Sequence, residues 1–247
     1  MTRRPLVLCY HAISDEWRHE LAVTPRVFEL HLRGLLRRGF RPVAAGEAVE
    51  RGGAVFHVTF DDAYQSVAVG LPVLERLGIS ATVFPVTSYA DDGRPAAMAD
   101  LTAECARHPQ HVATMDWDAL RGLLERGVEV GSHTQTHPHL DRLGDAELMR
   151  ELRGSRIRCE DELRRPCRYL AYPYGEHDAR VQDAARRAGY GAAFALTAGA
   201  DARNPYAFPR VDLYGYDGTL RARLKTSALA PRVAKILWKT RSRGRSG

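Results

Sequence analysis

Cysteine is scarce. The 247 residues hold four, Cys9, Cys105, Cys159 and Cys167, and no two are spaced Cys-x-x-Cys. That argues against a cysteine-built zinc ribbon and against a disulfide-stapled scaffold, which a chain of this length does not need. The four are read as reduced thiols behaving as small apolar side chains. No apolar run is long enough to span a bilayer. The N-terminus, MTRRPLVLCYHAISDEW, lacks the long apolar core and small-residue cleavage site of a secretory signal. The expectation is a cytoplasmic protein. No Gly-x-Gly-x-x-Gly or Walker-type loop follows any apolar run, which weakens a nucleotide-binding reading. Acidic residues are missing altogether after Asp217. From Gly218 onward the chain carries nine Arg and Lys residues, so a net charge of +6 leaves −3 on residues 1–217. A mildly acidic body, residues 1–217, ends in a basic tail, residues 218–247.

What is present alternates. PLVLCYH, AVFHVTFDD, SATVFPV, VEVGSHT, CRYLAYPYG, GAAFALT and FPRVDLY read as strands. Between them lie helical stripes such as Phe28, Leu32, Leu35 and Leu36, with Thr24 as N-cap and Pro25 as first helical residue. Asp118 reads as the cap of a later helix, and residues 88–115 read as an insertion with a weakly helical middle. Strand and helix in alternation argue for a parallel sheet wrapped by helices, closed or nearly closed into a single-domain barrel. An open doubly wound sheet is the alternative.

Polar clusters recur where strands give way to loops. They are Tyr10–His11, Asp61–Asp62, the SHTQTH run containing His133 and His137, and the PYG turn of Pro173, Tyr174 and Gly175. In barrels of this kind the C-terminal strand ends converge on one face and carry the chemistry. Two histidines four apart can reach one ion. With one carboxylate they form a three-ligand divalent site that leaves a position for water. His133, His137 and Asp62 supply that set. The ion would lower the pKa of its water from about 15.7 towards about 7, and Asp61 would take the proton as general base.

TFDD, SHTQTH and YPYG, in this order, resemble the NodB-homology polysaccharide deacetylases, carbohydrate esterase family 4. The likeness covers roughly residues 5–215. YHAI at the first strand end resembles the opening of the exopolysaccharide-type subgroup. The resemblance implies a distorted (β/α)7-type barrel that removes N-acetyl groups from amino sugars. Zinc is the implied ion, with cobalt, nickel and manganese as alternatives. By position it implies Asp61 as catalytic base and Asp62, His133 and His137 as metal ligands. Pro173 and Gly175 match its substrate-groove turn, where the backbone N–H of Tyr174 would meet the oxyanion. Trp117, in DWDAL, would line the groove.

Two departures stand out. The family's usual arginine two residues before the proline is Ala171 here, and its late histidine, the general acid, is missing because none follows His177. Arg210 is the candidate to hold Asp61 ionised. His11 is the candidate acid, with His139 and His177 weaker. The basic tail places Val233, Ile236 and Leu237 on one helical face beside Trp238, the pattern of a segment that lies on an anionic membrane surface. The expected partners are therefore an amino sugar or glycan and an anionic inner-membrane face, and no nucleic acid. The competing readings are removal of a different small acyl group, a non-catalytic glycan-binding barrel that has lost its acid, and a basic membrane adaptor.

Overall fold

A computed structural model describes residues 4–98, 101–196 and 199–227. Its first strand, β1 (Leu6–Tyr10), is wholly buried, as expected for a strand covered on both faces. Two short strands, β2 (Ala12–Ile13) and β3 (Ala22–Val23), pair in parallel beside it. The helix α1 (Pro25–Arg37) follows, and the Thr24 side chain accepts a hydrogen bond from the Val27 N–H. Phe28, His31, Leu32 and Leu35 form its buried face. After β4 (Arg41–Pro42) and α2 (Ala45–Arg51) comes the longest strand, β5 (Val55–Asp61), also buried throughout.

The chain then continues through α3 (Leu71–Leu77), β6 (Ala81–Phe84), α4 (Thr87–Ala90), α5 (Thr102–Arg107), α6 (Trp117–Glu125) and β7 (Glu129–Val130). The last third contributes α7 (Asp145–Leu163), β8 (Tyr169–Ala171), α8 (Ala179–Ala188), β9 (Ala192–Ala195), β10 (Phe208–Asp212) and α9 (Thr219–Lys225). Seven parallel strands run in the order β7-β6-β5-β1-β10-β9-β8, with β4 on the flank of β5. The ring closes just beyond β7. There Ser132 bridges Leu170 in parallel, its N–H donating to Tyr169 and its carbonyl accepting from Ala171, each at 2.9 Å. The strand expected over VEVGSHT is thus two regular residues followed by a single bridge.

One expectation needs correcting, and two gain detail. Asp116, not Asp118, caps α6: its Oδ1 accepts from the Ala119 N–H at 2.8 Å. Residues 88–115 carry the expected short helix, α5, in their middle, and the segment packs on the body. Pro95 bridges Ala113, Tyr64 bridges Thr114, and Ala96, Met98, Leu101 and Val112 bury a cluster with Trp17 and Tyr64. The first residues of the basic tail lie on the body. Helix α9 packs on α1, with Ala222 and Thr226 buried and Arg38 Nη2 donating to Thr226 Oγ1 at 2.7 Å. The amphipathic stretch around Val233–Trp238 lies outside the described residues. Among the described residues, no helix is long and apolar enough to cross a membrane.

Candidate active site

Four strand ends deliver the polar clusters to one place. Asp61 ends β5, and the backbone turns sharply at Asp62 (φ 65°) and Ala63 (φ 52°). His133 follows the bridged Ser132, and His137 returns to it through a loop in which Thr134 (φ 70°) and His137 (φ 62°) are left-handed. Tyr174 (φ 58°) makes the turn after β8. Five of the six left-handed non-glycine residues among the described residues therefore sit in these three motifs. Such conformations cost about 1–3 kcal/mol each and persist where surroundings over-determine them, often at functional sites.

Ligating atoms of Asp62, His133 and His137 lie within 4.8 Å of one another. His133 Nε2 is 3.6 Å and His137 Nε2 3.8 Å from Asp62 Oδ1. Two ligands about 2.1 Å from one tetrahedral ion lie about 3.4 Å apart, so the set is pre-arranged for a cation. The second nitrogen of His133, Nδ1, lies 2.8 Å from the Ala171 carbonyl, which leaves Nε2 unprotonated towards Asp62. Burial lowers the pKa of His133, and lowers that of His137 to about 2. Both rings are neutral, which is the state that binds metal. Asp62 and His133 are buried and His137 is half-buried, and two neutral imidazoles with a carboxylate could hold a small divalent ion.

Asp61 has other partners. Arg210 binds it with two parallel hydrogen bonds, Nη1 to Oδ1 at 2.6 Å and Nη2 to Oδ2 at 2.7 Å. Burial alone would push the Asp61 carboxyl up, but the guanidinium, with His133 and His11, holds it well below the usual carboxylate range. The Arg210 cation is stabilised in turn. Cys9 Sγ donates to Asp61 Oδ2 at 3.4 Å, and burial pushes the thiol up, so it stays protonated. His11 stands against the same carboxylate; ligating atoms of Cys9, His11 and Asp61 fall within 4.8 Å. Burial lowers the His11 pKa to about 4, despite the pull of Asp61. His11 is thus neutral near pH 7 and is not a ready acid.

The PYG turn closes the site. Tyr174 packs edge-on against His137 (centroids 4.7 Å) and flat against His139 (4.0 Å, 11° between planes). Pro173 and Gly175 are buried beneath it. Gly175 has φ 68°, and a Cβ there would run into the backbone and side chain of Leu196, so only glycine is accommodated. Trp117 is the residue expected along the groove. It is buried in the core at the start of α6, and its Nε1 donates to Asp91 at 2.9 Å. His139 and Glu176 form a pair at 2.7 Å. That pair and the contact of Cys9 with Asp61 have no local sequence signal.

The family model described as polysaccharide deacetylase matches residues 48–193, which is more than half of the sequence. The chain belongs to the polysaccharide deacetylase family. It is a hydrolase of the de-N-acetylase type, acting on carbohydrate. A curated relative described as the putative polysaccharide deacetylase YxkH of Bacillus subtilis is 24% identical over 215 residues, covering 83% of this chain and 70% of the relative. Among solved structures, the deacetylase PplD of Streptococcus pyogenes, in complex with acetate, superposes with a TM-score of 0.72 at 18% identity, covering 92% of this chain and all of that one. IcaB of Ammonifex degensii gives a TM-score of 0.71 at 22% identity, covering 91% of this chain and 98% of its own. These two structures share the fold: a distorted (β/α)7-type barrel in which, here, β1, β5 and β10 sit side by side. In this deacetylase Arg210 reaches Asp61 from β10, whereas position 171, before the PYG turn, carries no charge.

Proposed function

We propose that this deacetylase is a divalent-cation-dependent N-deacetylase of amino sugars or amino-sugar glycans, with Asp61 as general base. What carries the reading is a pair of adjacent carboxylates with different partners. Asp62 faces two imidazoles, while Asp61 is bound by Arg210 with its Oδ2 3.9 Å from His133 Nε2. A cation held by Asp62, His133 and His137 would supply Lewis acidity to the acetamide carbonyl and lower the pKa of the attacking water. The nitrogen-and-oxygen donor set favours zinc, with cobalt, nickel or manganese as alternatives.

The chain's own residues handle the protons. Asp61 accepts one proton from water as the new C–O bond forms. Arg210 keeps Asp61 ionised at all working pH values, which lowers its basicity but guarantees that it can accept. His11, neutral beside Asp61, takes that proton on and returns it to the amine nitrogen as the C–N bond breaks. It therefore serves as a shuttle rather than as a pre-charged acid. The backbone N–H of Tyr174 donates to the oxygen on which negative charge develops, and Pro173 and Gly175 fix that turn. One water and one acetamide give acetate and an ammonium, with both water protons ending on nitrogen: the first through Asp61 and His11, the second from the carboxyl of the departing acid. The acetate held by the S. pyogenes deacetylase is in keeping with such a product.

Acetate release from N-acetylglucosamine oligosaccharides tests this. Chelation and Asp61→Asn should each lower the rate by at least about a hundredfold. Release that survives chelation would remove the cation, and an Asp61→Asn variant with wild-type turnover would remove the base.

Residues 228–247 carry six Arg and Lys residues, no acid, and the stripe of Val233, Ile236, Leu237 and Trp238. Their composition suits peripheral attachment to an anionic membrane from the cytoplasm, at roughly 1 kcal/mol per basic residue near the surface. Truncation after Ser227 leaves α9 in place and should abolish co-sedimentation with phosphatidylglycerol vesicles. Equal sedimentation of the truncated and full chains would contradict the attachment.

A further inference from the structure

Helix α7 presents two polar side chains, one turn apart, that the reaction above does not use. Glu151 reaches into the loop between His133 and His137. Its Oε2 accepts from the backbone N–H groups of Gln135 (2.8 Å) and Thr136 (3.0 Å), and its Oε1 accepts from Thr136 Oγ1 (2.7 Å). Ser155, four residues on and fully buried, accepts a hydrogen bond from Ser132 Oγ (2.9 Å). Ser132 Oγ in turn accepts from the Thr134 N–H (3.2 Å). Ser155 passes its own proton towards the Glu151 carbonyl (2.7 Å), and Tyr190 abuts it (3.1 Å). On the far side, the Thr87 and Ser88 N–H groups donate to the carbonyls of Thr134 and Gln135.

This loop cannot hold itself. Thr134 and His137 are both left-handed, and the first is β-branched. The bond that the loop itself gives between them runs from the His137 N–H to Thr134 Oγ1 (3.1 Å). Relaxing either residue to an ordinary φ would swing the His137 ring away from Asp62. The conformation needs outside support, and α7 supplies it at both ends. The three donors gathered on Glu151 also explain the residue type. A carboxylate offers acceptors on both oxygens and makes strong charge-assisted bonds. A glutamine would turn an NH2 group towards a donor.

We propose that Glu151, backed by Ser155, is a positioning residue for the metal site, holding the 133–137 loop so that both imidazoles reach one cation. This rests on the metal triad proposed above. Neither Glu151 nor Ser155 touches a reacting atom.

Zinc affinity of the full, metal-stripped chain, measured in competition with a chelating dye, tests the assignment, together with thermal unfolding of the metal-free protein. Outer-shell partners of metal ligands typically contribute tenfold to a hundredfold in affinity. Glu151→Gln should bind zinc about tenfold to a hundredfold more weakly, with a metal-free unfolding midpoint close to wild type. Thr136→Val, which removes one of the three bonds, should fall between the two. Zinc affinities within twofold of wild type in these variants would overturn the proposal. So would an affinity loss that merely tracks loss of folded metal-free protein. If Glu151→Gln does not fold, Thr136→Val decides alone by the same twofold criterion. His137→Ala separates the two levels of the argument. If it binds zinc as wild type does, the triad itself is wrong and the positioning role falls with it; if it loses zinc while Glu151→Gln keeps it, only the positioning role falls.

Discussion

Asp61 and Asp62 are neighbours in sequence and differ in everything around them. The left-handed turn at Asp62 sends the two carboxylates in different directions, one to a guanidinium and one to a pair of imidazoles. Charge partners then set what each can do: the arginine-bound acid is pinned as a carboxylate, while the other is placed beside two imidazoles and would complete a cation's donor set under the proposed function. Position 171, where the family's usual pattern carries arginine, is alanine. Its carbonyl orients His133, and the cation for Asp61 comes from β10 instead. Removing that cation leaves a buried carboxylate unpaired. Arg210→Met should therefore lower stability by about 3–5 kcal/mol in urea unfolding of the metal-free protein. Arg210→Lys, which keeps the charge but not the two-pronged geometry, should lose less. An Arg210→Met variant within about 1 kcal/mol of wild type would show that the pair is not what holds Asp61.

At the scale of elements, legibility follows periodicity and punctuation. Helix α1 can be read because Thr24, Pro25 and a 3.6-residue stripe all agree, and the long buried strands because their apolar runs end in polar pairs. Helix α6 is harder. The stripe of Leu120, Leu123 and Leu124 suggests Asp118 as cap, but Asp116 meets the Ala119 N–H and draws Trp117 into the first turn and the core. That shift is why Trp117 packs into the core at the helix start. Residues 88–115 hide their order because Ala96, Met98, Leu101 and Val112 follow no period; they are organised by Trp17 and Tyr64, which lie far away in sequence. The candidate metal ligands are legible because their motifs are local. Glu151 is not, since its partners stand fifteen and sixteen residues earlier and a glutamate on a helix looks like ordinary surface.

At the scale of the molecule, ring closure joins these parts. The bridge between Ser132 and Leu170 brings the segment after β7 against β8, and with it the SHTQTH loop against the PYG turn. The β1, β5 and β10 neighbourhood sets Arg210 across from Asp61. One face of one barrel thus holds every group the proposed hydrolysis requires. The central claim is that Asp62, His133 and His137 grip a single cation while Asp61 stays outside its coordination shell. Anomalous X-ray diffraction at the zinc or cobalt edge, from crystals of the metal-loaded full chain, tests it most directly. The account predicts one strong peak about 2.0–2.2 Å from Asp62 and from an imidazole nitrogen of each histidine, with Asp61 still on Arg210. A peak bound to Asp61 in place of Asp62, or metal bound elsewhere with the triad empty, would contradict it.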